Sequence, residues 1–263
     1  MPIPTSNSAI ESKPTPPPAR DALSTPELDR LRARRERVYA AGSVTMASGE
    51  AFEIFPAGIR EWPGLWLRDA IVREGAQRTI ETGFGLGLSA LFMIEGAIEA
   101  AHRGGRPAHA RHTAIDPGQR GEFDSAGLLN IENAGVSGRL ELIEEDSLLV
   151  LPRLIDAGRR FDLAFIDGQH NFDSTLIDAV YLLRLLRPGG LLVIDDQWLA
   201  PVRSATDFVA RNLGVRVETP DVPSAAKRFA VLRAPERPVE RAWDHFVPFW
   251  AGAGETPAPP SAG

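Results

Sequence analysis

From Arg78 onward the chain alternates short apolar runs with longer amphipathic ones, and this alternation constrains the fold more than any other feature. RTIET, HTAID, LELIE, FDLAFID and GLLVID read as strands. Each is followed by a stretch with helical spacing: LSALFMIEGAIEAAHR, GEFDSAGLLNIENAG, SLLVLPRLIDAG, STLIDAVYLLRLLRPGG and PVRSATDFVARNLG. Strands that re-enter a sheet in parallel need crossovers of this length, so the pattern predicts βαβ units and a parallel sheet covered on both faces by helices. VRVETP and KRFAVLRA add two late strands with no good helix between them, so that pair is expected to be antiparallel. The expected fold class is α/β, a doubly wound and mostly parallel sheet of about seven strands.

What flanks this core differs in composition. Residues 1–24 are rich in Pro, Ser and Thr and poor in large apolar side chains, so they are expected to be a disordered tail, and ETPAPPSAG returns to that composition. Residues 25–75 are expected to hold a helix and a cover segment, 76–235 the core, and 236–263 a C-terminal extension. Ser24, with Glu27 three residues on and Pro26 in the first turn, reads as a helix start, with Leu28, Leu31 and Val38 on one face and Gly42 as the stop. The basic run RLRARRER reads as a solvated face of that helix. Phe52, Phe55, Trp62 and Trp66 fit either a cover over a pocket or an edge packed on the core.

The formal net charge of −6 argues against a general binder of phosphate backbones. The absence of cysteine removes disulfides, thiolate metal sites and cysteine nucleophiles, and fits a reducing compartment. No basic start followed by an apolar stretch marks a secretory signal, and no window has the apolar length of a membrane span. A cytoplasmic protein with no membrane partner is expected, and a homo-oligomer is left open.

In open parallel sheets ligands bind beyond the carboxyl ends of the strands, and all five of these ends carry an acid. They bear Glu81 before a glycine loop, Asp116, Glu145 and Asp146 before Ser147, Asp167 in DGQH, and the pair Asp195 and Asp196. Gly83, Gly85 and Gly87 allow a sharp turn and close backbone approach to a ligand at a helix start. GLGLSA also satisfies the dinucleotide pattern through Gly85, Gly87 and Ala90, but Glu81 before the loop suits an ammonium group better than a pyrophosphate. Asp116 before Pro117 and Asp167 before Gly168 are, taken singly, ordinary turn pairs.

Acid followed by alternating glycines resembles the first motif of class I S-adenosylmethionine-dependent methyltransferases, whose core is Rossmann-like. TAIDP, EEDSLLVLP, FDLAFIDGQHNFD and LLRPGGLLVIDD resemble their later motifs in order, covering about residues 76 to 200. The resemblance implies that Glu81, Gly83, Gly85, Gly87, Asp116, Asp146, Ser147 and Asp167 bind S-adenosylmethionine. Asp116 would take the ribose hydroxyls, Asp146 would face the adenine amino group, and Ser147 would cap the next helix.

DGQH and VIDDQW are similar to the divalent-metal site of catechol-type and of bacterial macrolide and rhamnosyl O-methyltransferases. This implies a cation such as Mg2+ held by Asp167, Asp195 and Asp196, with His170 as general base beside Asp167 at the catalytic centre. Asp195 stands where some of those relatives carry glutamate. The expected activity is O-methylation of a small hydroxylated acceptor, a sugar or natural product. Alternatives are a metal-independent methyltransferase, a non-catalytic cofactor-binding protein, and an NAD-dependent dehydrogenase. No Asn-Pro-Pro-Tyr type segment follows the fourth strand, which argues against methylation of nucleic-acid bases. His102, His109, His112 and His245 show no ligand spacing, Tyr39 and Tyr181 read as packing residues, and Phe172 and Asp173 as packing and helix-cap residues.

Overall fold

The computed structural model describes residues 23–106, 109–220, 228–237 and 239–250. The expectations for the first 22 residues and for ETPAPPSAG lie outside the described residues. Helix α1 (Pro26–Ala41) starts at Thr25, whose extended backbone (φ −142°, ψ 155°) lets its hydroxyl accept the Leu28 N–H at 3.2 Å. Ser24, the expected start, instead donates to Asp29. Leu28, Leu31 and Val38 are buried, and Gly42 ends the helix in the left-handed region. The basic run is not a solvated face throughout. Arg32 bonds Glu95 and Glu99, Arg35 bonds Glu95, and both acids are buried on the opposing helix.

A hairpin of β1 (Ser43–Thr45) and β2 (Ala51–Glu53) leads to α2 (Glu61–Glu74). Both readings of the aromatic segment hold in part. Trp66 is buried against Phe229, ring centroids 5.0 Å apart, while Ala57, Gly58 and Ile59 face a cavity. The Tyr39 hydroxyl donates to the Ile59 carbonyl at 2.6 Å and fastens that loop to α1.

The sheet strands are β3 (Arg78–Thr82), β4 (Arg111–Ile115), β5 (Leu140–Ile143), β6 (Phe161–Ile166), β7 (Leu186–Ile194), β8 (Arg216–Glu218) and β9 (Ala230–Arg233), in spatial order β5-β4-β3-β6-β7-β9-β8. The first five are parallel, β9 runs antiparallel to β7, and β8 antiparallel to β9. Between them run α3 (Leu88–Arg103), α4 (Ala126–Asn133), α5 (Ser147–Asp156), α6 (Phe172–Leu185) and α7 (Ala200–Asn212). α4 begins later than its sequence suggests because Asp124 and Ser125 have positive φ. β7 begins earlier, taking in the RPGG read as a helix end.

Alternation along the strands sends Leu163, Phe165, Leu191 and Val193 to the layer of α1 to α4, and Ala164, Ile166, Leu192 and Ile194 to that of α5 to α7. Register then places the site. Thr82 pairs with Ile115 and with Ile166, and Ile166 with Ile194, so the residues just beyond these strands emerge side by side. No helix among the described residues is long and apolar enough to cross a membrane.

Candidate active site

A cavity of about 370 Å3 opens beyond β3, β4 and β6, where the strand order reverses on either side of β3. Gly83 and Gly85 line it, while Gly87, expected there too, is not on its wall; all three have positive φ (89°, 48° and 69°). At Gly83 a side chain is excluded on a second ground: a Cβ there would lie 2.2 Å from the Asp167 carbonyl oxygen. Gly87 caps α3, so the amides of that helix start open toward the cavity.

Asp116 lies on the wall with both oxygens engaged. Oδ2 accepts from the amides of Phe84 (2.9 Å) and Gly85 (2.7 Å), and Oδ1 from Gly118 (2.7 Å). A carboxylate offers about four lone-pair positions, so about one is left for a ligand hydroxyl. Asp146 also lines the cavity and caps α5 by accepting from the Leu148 amide at 2.8 Å. The cap was expected of Ser147, but that residue is already helical, and only the extended residue before it can turn its side chain back to the helix amides. Ser147 lines the cavity instead.

Glu81 is not on the cavity wall, contrary to the ammonium contact expected of it. Its neighbour Ile80 packs toward α5 and α6, so Glu81 falls on the other face of β3, fully buried. There its Oε1 is 3.1 Å from His112 Nε2, and His112 Nδ1 is 2.9 Å from Thr79 Oγ1. His112, given no role from its spacing, thus anchors the acid that precedes the glycine loop. Asp178 was also missed. This buried acid of α6 lines the cavity beside Ser147 and Thr82, its Oδ1 has no hydrogen-bond partner, and burial raises its pKa. The available signal was an acid interrupting the buried stripe Thr175, Ala179, Leu182.

At the β6 and β7 ends, Asp167, His170 and Asp196 bring donor atoms within 4.8 Å of one another. His170 Nε2 is 2.7 Å from Asp196 Oδ2 and 3.7 Å from Asp167 Oδ1. Asp196 takes a positive φ of 55°, which directs it there. Asp195 does not join them. It is 1% exposed and ion-paired with Arg228, whose Nη2 also stands 3.6 Å from Asp196. A third carboxylate in the cluster, as expected for the metal set, is therefore replaced by a buried pair, because Arg228, two residues before β9, engages Asp195 at the end of β7. Trp198 and Gln197 are not on the cavity wall. Trp198 lies over Arg228, and Gln197 bonds backbone carbonyls and Thr206.

Burial pushes the Asp167 carboxyl up to about 6 against the pull of His170, while bonds to Asp167 and Asp196 push His170 up to about 10. At neutral pH the ring is an imidazolium, so the base expected at this position already carries a proton in the unliganded site. Burial, followed by the charge of Asp167, also raises Asp195 despite Arg228.

Residues 80–197 match the family model for a methyltransferase domain. A catechol O-methyltransferase from Mycobacterium tuberculosis is 25% identical over 196 residues, covering 74% of this chain and 77% of its own length. A flavonoid 3',5'-methyltransferase from Vitis vinifera is 29% identical, covering 53% of this chain and 55% of its own, so the chain spans about half of that relative. Among solved structures, an O-methyltransferase from Bacillus cereus in complex with SAH superposes with a TM-score of 0.58 at 16% identity, over 78% of this chain and 90% of that one. The O-methyltransferase TomG from Streptomyces achromogenes, in complex with SAM, gives 0.56 at 18% identity, over 82% and 92%. These neighbours share the fold described above, and the family match spans the glycine loop, Asp116, Asp146, Asp167 and Asp196. Residues 80–197 match a methyltransferase domain carried on the fold of these O-methyltransferase structures, and the chain is an enzyme of the methyltransferase kind.

Proposed function

We propose that the enzyme transfers the methyl group of S-adenosylmethionine to a hydroxyl oxygen of a small acceptor. One observation carries the proposal: a single cavity joins the glycine loop and Asp116 at one end to Asp167 and His170 at the other. The relatives that act on catechol and flavonoid acceptors support the same reading. The loop amides and the α3 start would hold the cofactor, Asp116 its ribose, Asp146 its adenine amino group, and Asp178 would accept a further donor.

In the reaction the acceptor oxygen attacks the methyl carbon, the carbon–sulfur bond breaks, and its electron pair stays on sulfur as the neutral thioether of S-adenosylhomocysteine. The hydroxyl proton passes to the unit formed by Asp167, His170 and Asp196. Asp167, held near pKa 6, can receive it at neutral pH, and the 2.7 Å contact of His170 with Asp196 lets the ring hand its own proton on. Holding the oxygen in line with the methyl group is the larger contribution, worth about 7 to 11 kcal/mol in well-oriented systems.

Two carboxylates and an imidazole within 4.8 Å also fit a divalent cation, and a nitrogen in the set suits manganese at least as well as magnesium. Asp167, His170 and Asp196 would hold such an ion, which when bound supplies Lewis acidity that lowers the pKa of an acceptor hydroxyl. The engagement of Asp195 by Arg228 favours a second reading, in which transfer proceeds without metal. The cytoplasm is the proposed location, with no nucleic-acid or membrane partner.

Calorimetric titration with S-adenosylmethionine, S-adenosylhomocysteine and NAD, with and without Mg2+, tests the cofactor. Mass spectrometry of catechols, flavonoids and sugars incubated with enzyme and cofactor tests the transfer. Binding of the first two ligands and a gain of one methyl on oxygen supports the proposal. NAD binding alone, or methylation only on nitrogen or carbon, overturns it.

A further inference from the structure

The end of β7 supplies two adjacent acids, and the structure sends them to different partners. Asp196 meets His170, and Asp195 meets Arg228. The guanidinium of Arg228 meets two aromatic rings, its carbon 4.9 Å from the Trp198 ring centre and 5.8 Å from that of Phe229. Its side chain is only 16% exposed, and its backbone carbonyl accepts the Gln197 amide at 3.1 Å, which ties the segment leading into β9 to the loop carrying the acids.

An arginine does not lose its charge at any pH the protein survives, so it competes permanently with any other cation for the oxygens it faces. Those oxygens belong to Asp195 and, at 3.6 Å, to Asp196. By contrast Arg233, at the end of β9, pairs with Glu74 and Glu218, acids that do not belong to the Asp167, His170 and Asp196 cluster.

Resting on the reading of Asp167, His170 and Asp196 as the acceptor-side cluster, we propose that Arg228 is a positioning residue that serves as a resident cation of the site. It keeps Asp195 out of any metal shell, confines a divalent ion to Asp167, His170 and Asp196, and makes that ion bind weakly. Metal dependence is then set by a residue just before β9, outside every strand-end motif.

The test measures Mn2+ binding to the full chain by the loss of the free-ion paramagnetic resonance signal, with no acceptor present. Asp195→Asn should leave the affinity within about twofold of wild type, since Asp195 is not a ligand there. Arg228→Gln should tighten binding by about tenfold or more, because a buried positive charge near the ion is removed. Adding Asp195→Asn to Arg228→Gln should return the affinity to near the wild-type value. Equal affinities in wild type and Arg228→Gln, or no Mn2+ binding in any variant, would overturn the proposal. If Arg228→Gln does not fold, as judged by its melt and its binding of S-adenosylhomocysteine, the single Asp195→Asn variant decides. A tenfold loss there makes Asp195 a ligand and sinks the idea, whereas an unchanged affinity sustains it. Failure of methyl transfer with this binding pattern intact would count against the proposed function and not against the role of Arg228.

Discussion

The two ends of the cavity hold their acids by different means. At the β3 and β4 end Asp116 takes three backbone amides, and Asp146 takes one. At the β6 and β7 end Asp167 and Asp196 meet the side chain of His170, and Asp195 meets that of Arg228 and takes a single amide, from Asp196. Amides do not titrate, and the folded backbone fixes their direction, so the first end presents the same surface to a ligand in every cycle. Side-chain cations can exchange protons or be replaced by another cation, as proton transfer at the second end demands. The difference assigns unvarying recognition to one half of the site and movable charge to the other.

The largest expected effect comes from Gly83, where the two halves touch. Alanine there would need a left-handed φ and would place a Cβ 2.2 Å from the Asp167 carbonyl oxygen, with backbone on both sides that cannot give way. A stability loss of about 3 kcal/mol or more is expected in urea titrations, together with loss of S-adenosylhomocysteine binding. A loss under about 1 kcal/mol would mean that the two halves are not wedged together as described.

Next in size, His170→Gln should lower kcat by about 100-fold to 10,000-fold and leave the affinity for S-adenosylhomocysteine within about threefold. A comparable loss in that affinity would erase the division between a recognising end and a reacting end. Asp116→Asn should do the converse. It replaces a charged acceptor of three amides and should cost about 1 to 3 kcal/mol, read as cofactor affinity weakened by roughly tenfold to 100-fold, with a smaller change in kcat at saturation. Retained affinity would show that the glycine loop holds its shape without that carboxylate.

The same division explains what the sequence disclosed. The sheet, its antiparallel last pair and the cavity position follow from local patterns: strand alternation, helix spacing, and an acid beyond each strand. Asp116 meets backbone amides of a loop whose glycines announce the turn, and Asp146 meets the start of its own helix. Arg228 reaches Asp195 through its side chain, from a segment read only as part of a late antiparallel strand pair. No periodicity carries a pairing of that kind. Glu81 failed for a different reason. A strand's face is set by which layer its neighbours bury in, and one residue of phase turned the carboxylate toward His112 and away from the cavity. The basic run of α1 likewise gave no sign that Glu95 and Glu99 would lie buried opposite it.

The smallest expected effect isolates why an acid paired with arginine can shift either way. Asp195 is enclosed, and burial raises it in spite of Arg228. Glu218 pairs with Arg233 at the sheet edge with 27% of its side chain exposed, and the bonds from Arg233 hold it down at about 2. A carboxyl lowered from 4.5 to about 2 contributes stability that is complete above the unfolded value and is lost as pH falls through the folded one. Glu218→Gln should therefore lower stability by no more than about 1 kcal/mol at neutral pH, since the pair is partly solvated. The gap between variant and wild type in urea midpoints should narrow as the pH drops from about 5 toward about 2. A gap that stays constant over that interval would show that Glu218 acts through packing. The contrast with Asp195 would then rest on something other than the balance of burial and charge.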